Sequence, residues 1–160
     1  MKFKHSLALT GLCALLLVSS TQAATPNPAC QIARQGDSHV LSLTWHPAFC
    51  QSRPNLEECA VTDPNAYQAG HFILHGLWPN KSGCGIDYGF CGEVKQTVNP
   101  FCNYPKIELS DAERKSLGEV MPGMGSCLDR HEWWKHGSCA PYTPTEYFTL
   151  AGRWVYLVDG

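Results

Sequence analysis

The sequence predicts a small exported domain that combines strands with helices and is cross-linked by disulfides. Three observations support this fold class. An apolar N-terminal segment is typical of a secretory signal, eight further cysteines follow it, and strand patterns early in the chain give way to helix-start signals later. The 160 residues are enough for one domain with a hydrophobic core.

The N-terminal segment, residues 1–23, has the three parts of a signal peptide. Lys2 and Lys4 give a basic start, an apolar run extends from Leu7 to Val18, and small residues precede the expected cleavage after Ala23. The run is too short to indicate a membrane span, and no later segment is a candidate for one. We therefore expect a secreted or periplasmic protein whose mature domain comprises residues 24–160.

Removal of this segment makes the protein more acidic. Lys and Arg fall from 12 to 10 while Asp and Glu stay at 14, so the formal charge changes from −2 to −4. This balance argues against a protein that holds nucleic acid through bulk counterion release, but it allows a small cluster that binds one or two phosphates. Because histidines gain charge below about pH 6.5, binding to an anionic polymer should improve in acid.

The cysteines of the mature chain predict a disulfide framework. An even, dense set in an exported protein is typical of disulfides, and no Cys-x-x-Cys pair suggests a metal site. Eight cysteines allow 105 pairings, so the sequence leaves the connectivity open. The eight are Cys30, Cys50, Cys59, Cys84, Cys91, Cys102, Cys127 and Cys139.

Two strands are predicted in the first half of the chain. Residues Val40–Trp45 alternate apolar and polar side chains, which favours a half-buried strand ended by His46 and Pro47. Residues 50–70 are polar, contain prolines and two cysteines, and are predicted as a cross-linked surface loop. A second strand begins at Phe72–Leu74.

The second strand leads into His75-Gly76-Leu77-Trp78-Pro79. A histidine at the end of a buried strand, followed by a glycine and a Trp-Pro turn, is held rigidly where the sheet meets solvent. Considered alone, His75 would be a hydrogen-bonded core histidine and Trp78 a core tryptophan. Beside a reactive histidine, Trp78 would also suit a stacking platform for a nucleic-acid base.

The second half of the chain predicts a long loop and then helices. Residues 80–107 contain four glycines, two prolines and three cysteines without periodicity, which indicates a disulfide-linked functional loop. A capping box at Ser110–Glu113 begins a helix that ends at Met121–Gly123. Another at Thr143–Glu146, with proline at the first helical position, begins the final helix. Residues 154–158 are either its continuation or a strand.

The most informative segment is His131-Glu132-Trp133-Trp134-Lys135-His136-Gly137-Ser138-Cys139. In a helix, Glu132 and His136 are four residues apart on one face, with His131 and Lys135 beside them. Gly137 could supply the left-handed residue that often ends a helix. A zinc site is disfavoured, because the histidines lie about 140° apart around the helix and Lys135 occupies the second ligand's position.

These two segments resemble the active-site segments of the ribonuclease T2 family, which read His-Gly-Leu-Trp-Pro and His-Glu-Trp-x-Lys-His-Gly-Thr-Cys. The Leu-Ser-Leu-Thr-Trp strand, Phe49-Cys50 and the helix end at Glu119–Gly123 are also similar to the family, particularly to its bacterial exported members. The resemblance covers roughly residues 39–150.

The resemblance implies an α+β fold in which helices pack against a central antiparallel sheet. It also implies an endoribonuclease that cleaves single-stranded RNA through a 2′,3′-cyclic phosphate, without metal or other cofactor. It indicates no membrane and no obligate protein partner. The implied roles are general base for His75, general acid for His136, orientation of the phosphate for Glu132, phosphate binding for His131, charge stabilisation for Lys135, and base stacking for Trp78. The base and acid roles could be exchanged between His75 and His136, because the sequence supplies no substrate geometry.

The chain departs from the family pattern at three places. Asn80 replaces a common acidic residue that contacts the base, which leaves the base preference open, and Ser138 replaces threonine. Family members also continue well beyond the second motif, so we expect a domain shortened at its C-terminal end, with exposed apolar surface. Two alternatives follow: an inactive RNA-binding relative, and an exported cysteine-rich binding or inhibitor domain.

Overall fold

The computed structural model describes residues 27–60 and 63–159, so the predicted signal segment lies outside the described residues. Within them the chain forms two strands and five α-helices, joined by short 3₁₀ turns. In chain order these are β1 (Ser38–Trp45), α1 (His46–Ser52), α2 (Tyr67–Gly70), β2 (Phe72–Asn80), α3 (Asp111–Val120), α4 (Leu128–Lys135) and α5 (Pro144–Asp159).

The two strands pair as an antiparallel sheet. The register joins Ser42 to Gly76 and Leu43 to Leu74, so His75 is one extra residue on β2. This irregularity is a β-bulge, which bends a strand locally and re-aims a side chain. The sequence predicted both strands but placed Trp78 and Pro79 in a turn. That placement was wrong, because β2 continues through both residues to Asn80.

The chain turns directly from β1 into α1. His46 is the first residue of this helix rather than the last of the strand, and it is buried. Proline at the second helical position explains the start, since its fixed backbone angle suits a first turn. The predicted surface loop at residues 50–70 therefore begins in α1 and ends in α2.

Both predicted capping boxes are present. The Ser110 hydroxyl accepts a hydrogen bond from the Glu113 backbone, and the Glu113 carboxylate accepts one from the Ser110 backbone. Thr143 and Glu146 make the same reciprocal contacts. The last helix, α5, extends to Asp159, so residues 154–158 continue the helix and do not form a strand.

The core lies between β2 and the helices α3 and α5, which confirms the α+β fold with helices packed against an antiparallel sheet. Leu74 and Leu77 of β2 are almost fully buried there. The helices supply most of the remaining core side chains: Leu117, Val120, Tyr147, Phe148, Ala151 and Val155.

All eight predicted cysteines pair in disulfides. The pairs are Cys30–Cys84, Cys50–Cys59, Cys91–Cys139 and Cys102–Cys127. Three of the four bonds fasten the loop at residues 80–107 to other parts of the domain. Two of these three bonds attach the loop near the two ends of α4, because Cys127 precedes this helix and Cys139 follows it. The helix carries most of the residues of the second motif.

The far end of α5 carries large apolar side chains exposed to solvent. Trp154 is 46% exposed, Leu157 74% and Val158 61%. An exposed apolar surface therefore exists at this end of the helix. Among the described helices, none is long and apolar enough to cross a membrane.

Candidate active site

His75 points from the β-bulge of β2 toward α4. Its side chain is 42% exposed, and its Nε2 lies 3.6 Å from Oε1 of Glu132. The imidazole is therefore open to solvent on one side and faces a buried carboxyl group on the other. The bulge provides this orientation within a strand whose neighbouring residues face the core.

Glu132 is the centre of the site. It is 1% exposed, and its Oε2 accepts a 2.7 Å hydrogen bond from Nε1 of Trp78. Gly76 makes room for this arrangement, because a Cβ atom there would collide with Oε2 and would lie 2.6 Å from the Trp78 nitrogen. Any side chain at Gly76 would displace the carboxyl group.

His136 follows α4 directly and closes it. Its backbone N–H donates to the Glu132 carbonyl at 3.0 Å, so the predicted spacing of four residues is realised. Gly137 does not supply a left-handed end, since it opens a 3₁₀ turn without a positive φ. A glycine is needed there for space: a Cβ atom would collide with the Trp133 ring.

The His136 imidazole is buried against Trp78. The two rings stack with their centroids 5.0 Å apart, and His75 meets the same indole edge-on at 6.0 Å. The Nδ1 atom of His136 is buried and has no hydrogen-bond partner among the described residues. Trp78 and Glu132 thus separate the two imidazoles that the sequence singled out.

His131 lies on α4 beside this group. Its ring stacks on Phe101 with centroids 4.1 Å apart, and its Nδ1 lies 3.3 Å from the Tyr104 hydroxyl. The centroid of its ring is 6.4 Å from that of His136. The structure therefore brings His131, Glu132 and His136 together, as the helical spacing predicted.

The remaining residues of the motif divide between cleft and core. Lys135 lines a cleft of about 510 Å³ together with Trp78 and His136. Trp133 packs inward on Tyr147, and Trp134 donates from Nε1 to the Pro105 carbonyl at 2.9 Å. Neither tryptophan therefore faces the cleft beside Lys135.

A second cleft opens on the other side of the site. It has a volume of about 420 Å³ and is lined by His75, Phe101 and Leu128, among others. His75 and His136 thus border different clefts, with Glu132 and Trp78 between them.

Burial and positive charge set the protonation of the histidines. Burial, then Lys135, lowers the pKa of His75 from its ordinary value. The same causes lower the pKa of His131 to about 4 and that of His136 to about 3. All three imidazoles are therefore neutral at neutral pH in the free protein.

Glu132 shifts in the opposite direction. Burial raises its pKa to about 8, although the Trp78 hydrogen bond and Lys135 oppose the shift. The carboxyl group therefore keeps its proton at neutral pH. Lys135 is then the charged group beside the three imidazoles, which makes the free site attractive to an anion.

One group of possible metal ligands occurs among the described residues. Ligand atoms of His46, Cys50 and Cys59 lie within 4.8 Å of one another. The two sulfurs are bonded to each other and so lack the thiolate charge that a metal requires. His46 instead hydrogen-bonds through Nε2 to the Glu58 carbonyl at 3.1 Å, which gives it a structural role at the start of α1.

Three site-supporting residues were not predicted from the sequence. Phe101 and Tyr104 surround His131 from a loop without periodicity, so no sequence signal connected them to α4. Tyr147 is fully buried in α5, and its hydroxyl donates to the Leu77 carbonyl and accepts from the Leu77 N–H. The sequence placed Tyr147 only within the final helix, and no signal indicated this link to β2.

Comparison with known proteins identifies the family. A sequence model of the ribonuclease T2 family matches residues 36–159. Ribonuclease I of Escherichia coli (strain K12) is 32% identical over 160 aligned positions, which cover 84% of this chain and 60% of that protein. Extracellular ribonuclease LE of Solanum lycopersicum is 28% identical, over 68% of this chain and 44% of that protein. The chain thus spans about half the length of these relatives.

Solved structures agree on the fold. A point mutant of RNase MC1 in complex with 5′-UMP superposes with a TM-score of 0.52 at 22% identity, covering 78% of this chain and 59% of that one. A second mutant, in complex with 5′-GMP, gives 0.51 at 23% identity over the same shares of the two chains. The family match, the shared motifs and this common fold agree, and the chain belongs to the ribonuclease T2 family.

Proposed function

We propose that this protein is an endoribonuclease that cleaves single-stranded RNA by transphosphorylation, through a 2′,3′-cyclic phosphate and without metal. The observation that carries the proposal is the placement of two imidazoles, His75 and His136, on either side of the buried Glu132–Trp78 pair. In-line cleavage by the RNA's own 2′-OH needs a base on one side of the phosphate and an acid on the other.

His75 is the proposed general base. Its lowered pKa favours the neutral form at neutral pH, and its exposed side can reach a 2′-OH. It takes the proton of that hydroxyl as the 2′-oxygen attacks phosphorus. Dependence on the 2′-OH would also discriminate RNA from DNA.

His136 is the proposed general acid, which protonates the departing 5′-oxygen. In the free site its pKa is about 3, so it carries no proton at neutral pH. A phosphate bound beside it adds negative charge that opposes the effect of Lys135 and raises this pKa. The acid form is thus favoured once substrate has bound. Hydrolysis of the cyclic phosphate then restores both imidazoles.

The other residues act on the phosphate and the base. Lys135 stabilises the charge that grows on the phosphoryl oxygens. Glu132 orients the phosphate, and His131 helps to hold it. Trp78 has one ring face against His136, so a stacked base would use the opposite face.

The test is cleavage of poly(U) by the purified chain, with DNA as the matched substrate that lacks the 2′-OH and with EDTA present. We expect oligonucleotides ending in 2′,3′-cyclic phosphate from RNA alone. His136→Ala should lower kcat by at least about 100-fold, the usual contribution of a general acid.

Three outcomes would contradict the proposal. Binding of poly(U) without cleavage would indicate an inactive RNA-binding relative. Activity lost on adding EDTA would contradict the metal-free mechanism. Near-normal cleavage by His136→Ala would remove the proposed acid.

We also infer that residues 1–23 direct export and are removed, leaving a secreted or periplasmic domain. Disulfides persist mainly in oxidising compartments, and the domain has four. N-terminal sequencing of the protein recovered outside the cytoplasm should begin near Ala24. An intact N-terminus on that protein would contradict the inference.

A further inference from the structure

The loop segment Phe101–Tyr104 holds His131 by its ring and by one nitrogen. Phe101 stacks on the imidazole at 4.1 Å with an angle of 8° between the ring planes. The Tyr104 hydroxyl approaches Nδ1 at 3.3 Å, and this tyrosine is 2% exposed. No hydrogen bond of the described residues involves the other ring nitrogen, Nε2.

The hydrogen bonds of Tyr104 determine which way its proton points. The backbone N–H of Val98 donates to the Tyr104 oxygen at 3.0 Å. A hydroxyl has one proton, and among the described residues the only other partner of this oxygen is Nδ1 of His131. If Nδ1 carried a proton, the buried Tyr104 hydroxyl would have no acceptor, which is costly. The hydroxyl therefore donates to Nδ1.

We propose that Tyr104 is a positioning residue that fixes His131 as a neutral imidazole with its proton on Nε2. His131 then holds the scissile phosphate as a hydrogen-bond donor and not as a cation. This inference rests on the proposed function for the identity of the ligand, whereas the protonation state can be measured without it.

The surroundings of His131 favour the same state. Burial is the largest cause of its low pKa, followed by the charge of Lys135 on the same helix and by His75 on β2. The other groups around it add no charge that would hold an imidazolium, because Glu132 keeps its proton at neutral pH and Phe101 is apolar. The titratable groups facing His131 are thus His75, Tyr104, Glu132, Lys135 and His136.

A fixed neutral donor has a consequence for binding. In the free protein His131 gains a proton only near pH 4, so around neutral pH it meets an arriving phosphate as a neutral donor. Substrate binding would then depend on pH through the base and acid and not through His131. The strength of this contact would instead depend on the Tyr104 hydroxyl.

The first experiment measures the protonation state of the His131 imidazole directly. In ¹⁵N-labelled free wild-type protein at pH 7, NMR of the imidazole nitrogens should show His131 with a protonated Nε2 and an unprotonated Nδ1. Tyr104→Phe keeps the ring and removes the donor, so the two neutral forms of His131 should mix and its pKa should rise. A proton on Nδ1 of wild-type His131 at pH 7 would overturn the proposal.

The second experiment reads the consequence. Tyr104→Phe should lower kcat/KM for poly(U) about tenfold, mainly through KM, which is the effect of about one hydrogen bond. Tyr142→Phe removes a hydroxyl that makes no hydrogen bond among the described residues and should leave the kinetics unchanged. The proposal would also be overturned if Tyr104→Phe had the melting temperature of wild type and an unchanged KM for poly(U), together with unchanged NMR signals from the His131 nitrogens. If wild type showed the expected tautomer but cleaved no RNA, only the proposed function would fail.

Discussion

The missing side chain at Gly76 allows Glu132 to reach both His75 and Trp78. A methyl group at this position would occupy the space of the Glu132 carboxyl oxygen, and the burial of the Glu132 side chain leaves that oxygen little freedom to move. The glycine therefore matters because of what lies opposite it. Its φ is not positive, so conformational freedom is not the reason.

We predict that Gly76→Ala lowers kcat on RNA by about 100-fold or more, because it displaces Glu132 from between the two imidazoles. Overpacking should also lower the free energy of unfolding by about 1–3 kcal/mol. Both can be measured with purified protein, by RNA cleavage and by urea denaturation.

The matched control is Gly118→Ala in α3, where a new Cβ atom meets nothing within 4 Å. This change should stabilise the protein by about 0.5–1 kcal/mol, since alanine is favoured over glycine within a helix. Equal effects at the two glycines would show that the fit of Glu132 against Gly76 has no special importance.

At this scale the motifs predicted much of the site. The spacing of Glu132 and His136 was sufficient to bring them together, because a helix fixes it. The partners of His131 could not be predicted, since Tyr104 reaches it from a loop whose path depends on disulfides and not on periodicity. The sequence predicted a left-handed backbone at Gly137, which was wrong. A glycine is required there because the Trp133 ring leaves no room for a side chain.

Among the elements, α5 braces the strand that carries His75. The Tyr147 hydroxyl contacts both polar backbone groups of Leu77, two residues beyond the bulge. Burial raises the pKa of this hydroxyl well above its ordinary value, so it remains protonated and able to donate. The bulge is thus held from behind by a helix that contributes no side chain to the clefts beside His75 and His136.

We predict that Tyr147→Phe lowers the free energy of unfolding by about 1–3 kcal/mol, because Leu77 is left with buried, unpaired polar groups. The kcat on RNA should also fall, since the orientation of His75 becomes less fixed. Tyr156→Phe, on the exposed face of the same helix, should change stability by less than about 0.5 kcal/mol. A Tyr147→Phe protein as stable as this control would contradict the bracing role.

The sequence predicted most helices and strands, but it did not predict the bulge in β2 or its support by α5. Capping boxes and alternating side chains mark where helices and strands begin. A bulge depends on the register between two strands, and neither strand's pattern encodes it alone. For the same reason, the end of β2 was predicted too early: proline is a typical turn residue, but cross-strand pairing carries the strand through Trp78 and Pro79.

For the whole molecule, the buried site makes stability depend on pH in two opposing ways. The pKa of Glu132 is about 8 in the folded protein, above its ordinary 4.5, so the folded state binds an extra proton between these values. The contribution of Glu132 to the free energy of unfolding therefore declines as pH rises from 4.5 to 8. The pKa values of His131 and His136 are about 4 and 3, below the ordinary 6.5, so their contribution declines as pH falls below 6.5.

We therefore predict that the free energy of unfolding is greatest near pH 6.5 and decreases in both directions. Urea denaturation of the disulfide-intact protein from pH 5 to pH 9 measures it. Glu132→Gln should abolish the decrease between pH 6.5 and pH 8 and should steepen the decrease below pH 6.5, where the Glu132 carboxyl group partly offsets the histidines. A wild-type profile that is flat between pH 6.5 and pH 8 would show that Glu132 is ionised in the folded state.

The loop at residues 80–107 is attached near both ends of α4 by two disulfides, Cys102–Cys127 and Cys91–Cys139. The same loop carries Phe101 and Tyr104 to His131, so completion of the site is tied to oxidation. We expect mild reduction to abolish RNA cleavage and reoxidation to restore it; full activity after both bonds are reduced would contradict this. A chain built in this way would be harmless to the transcripts of the cell that makes it until it has left the reducing cytoplasm.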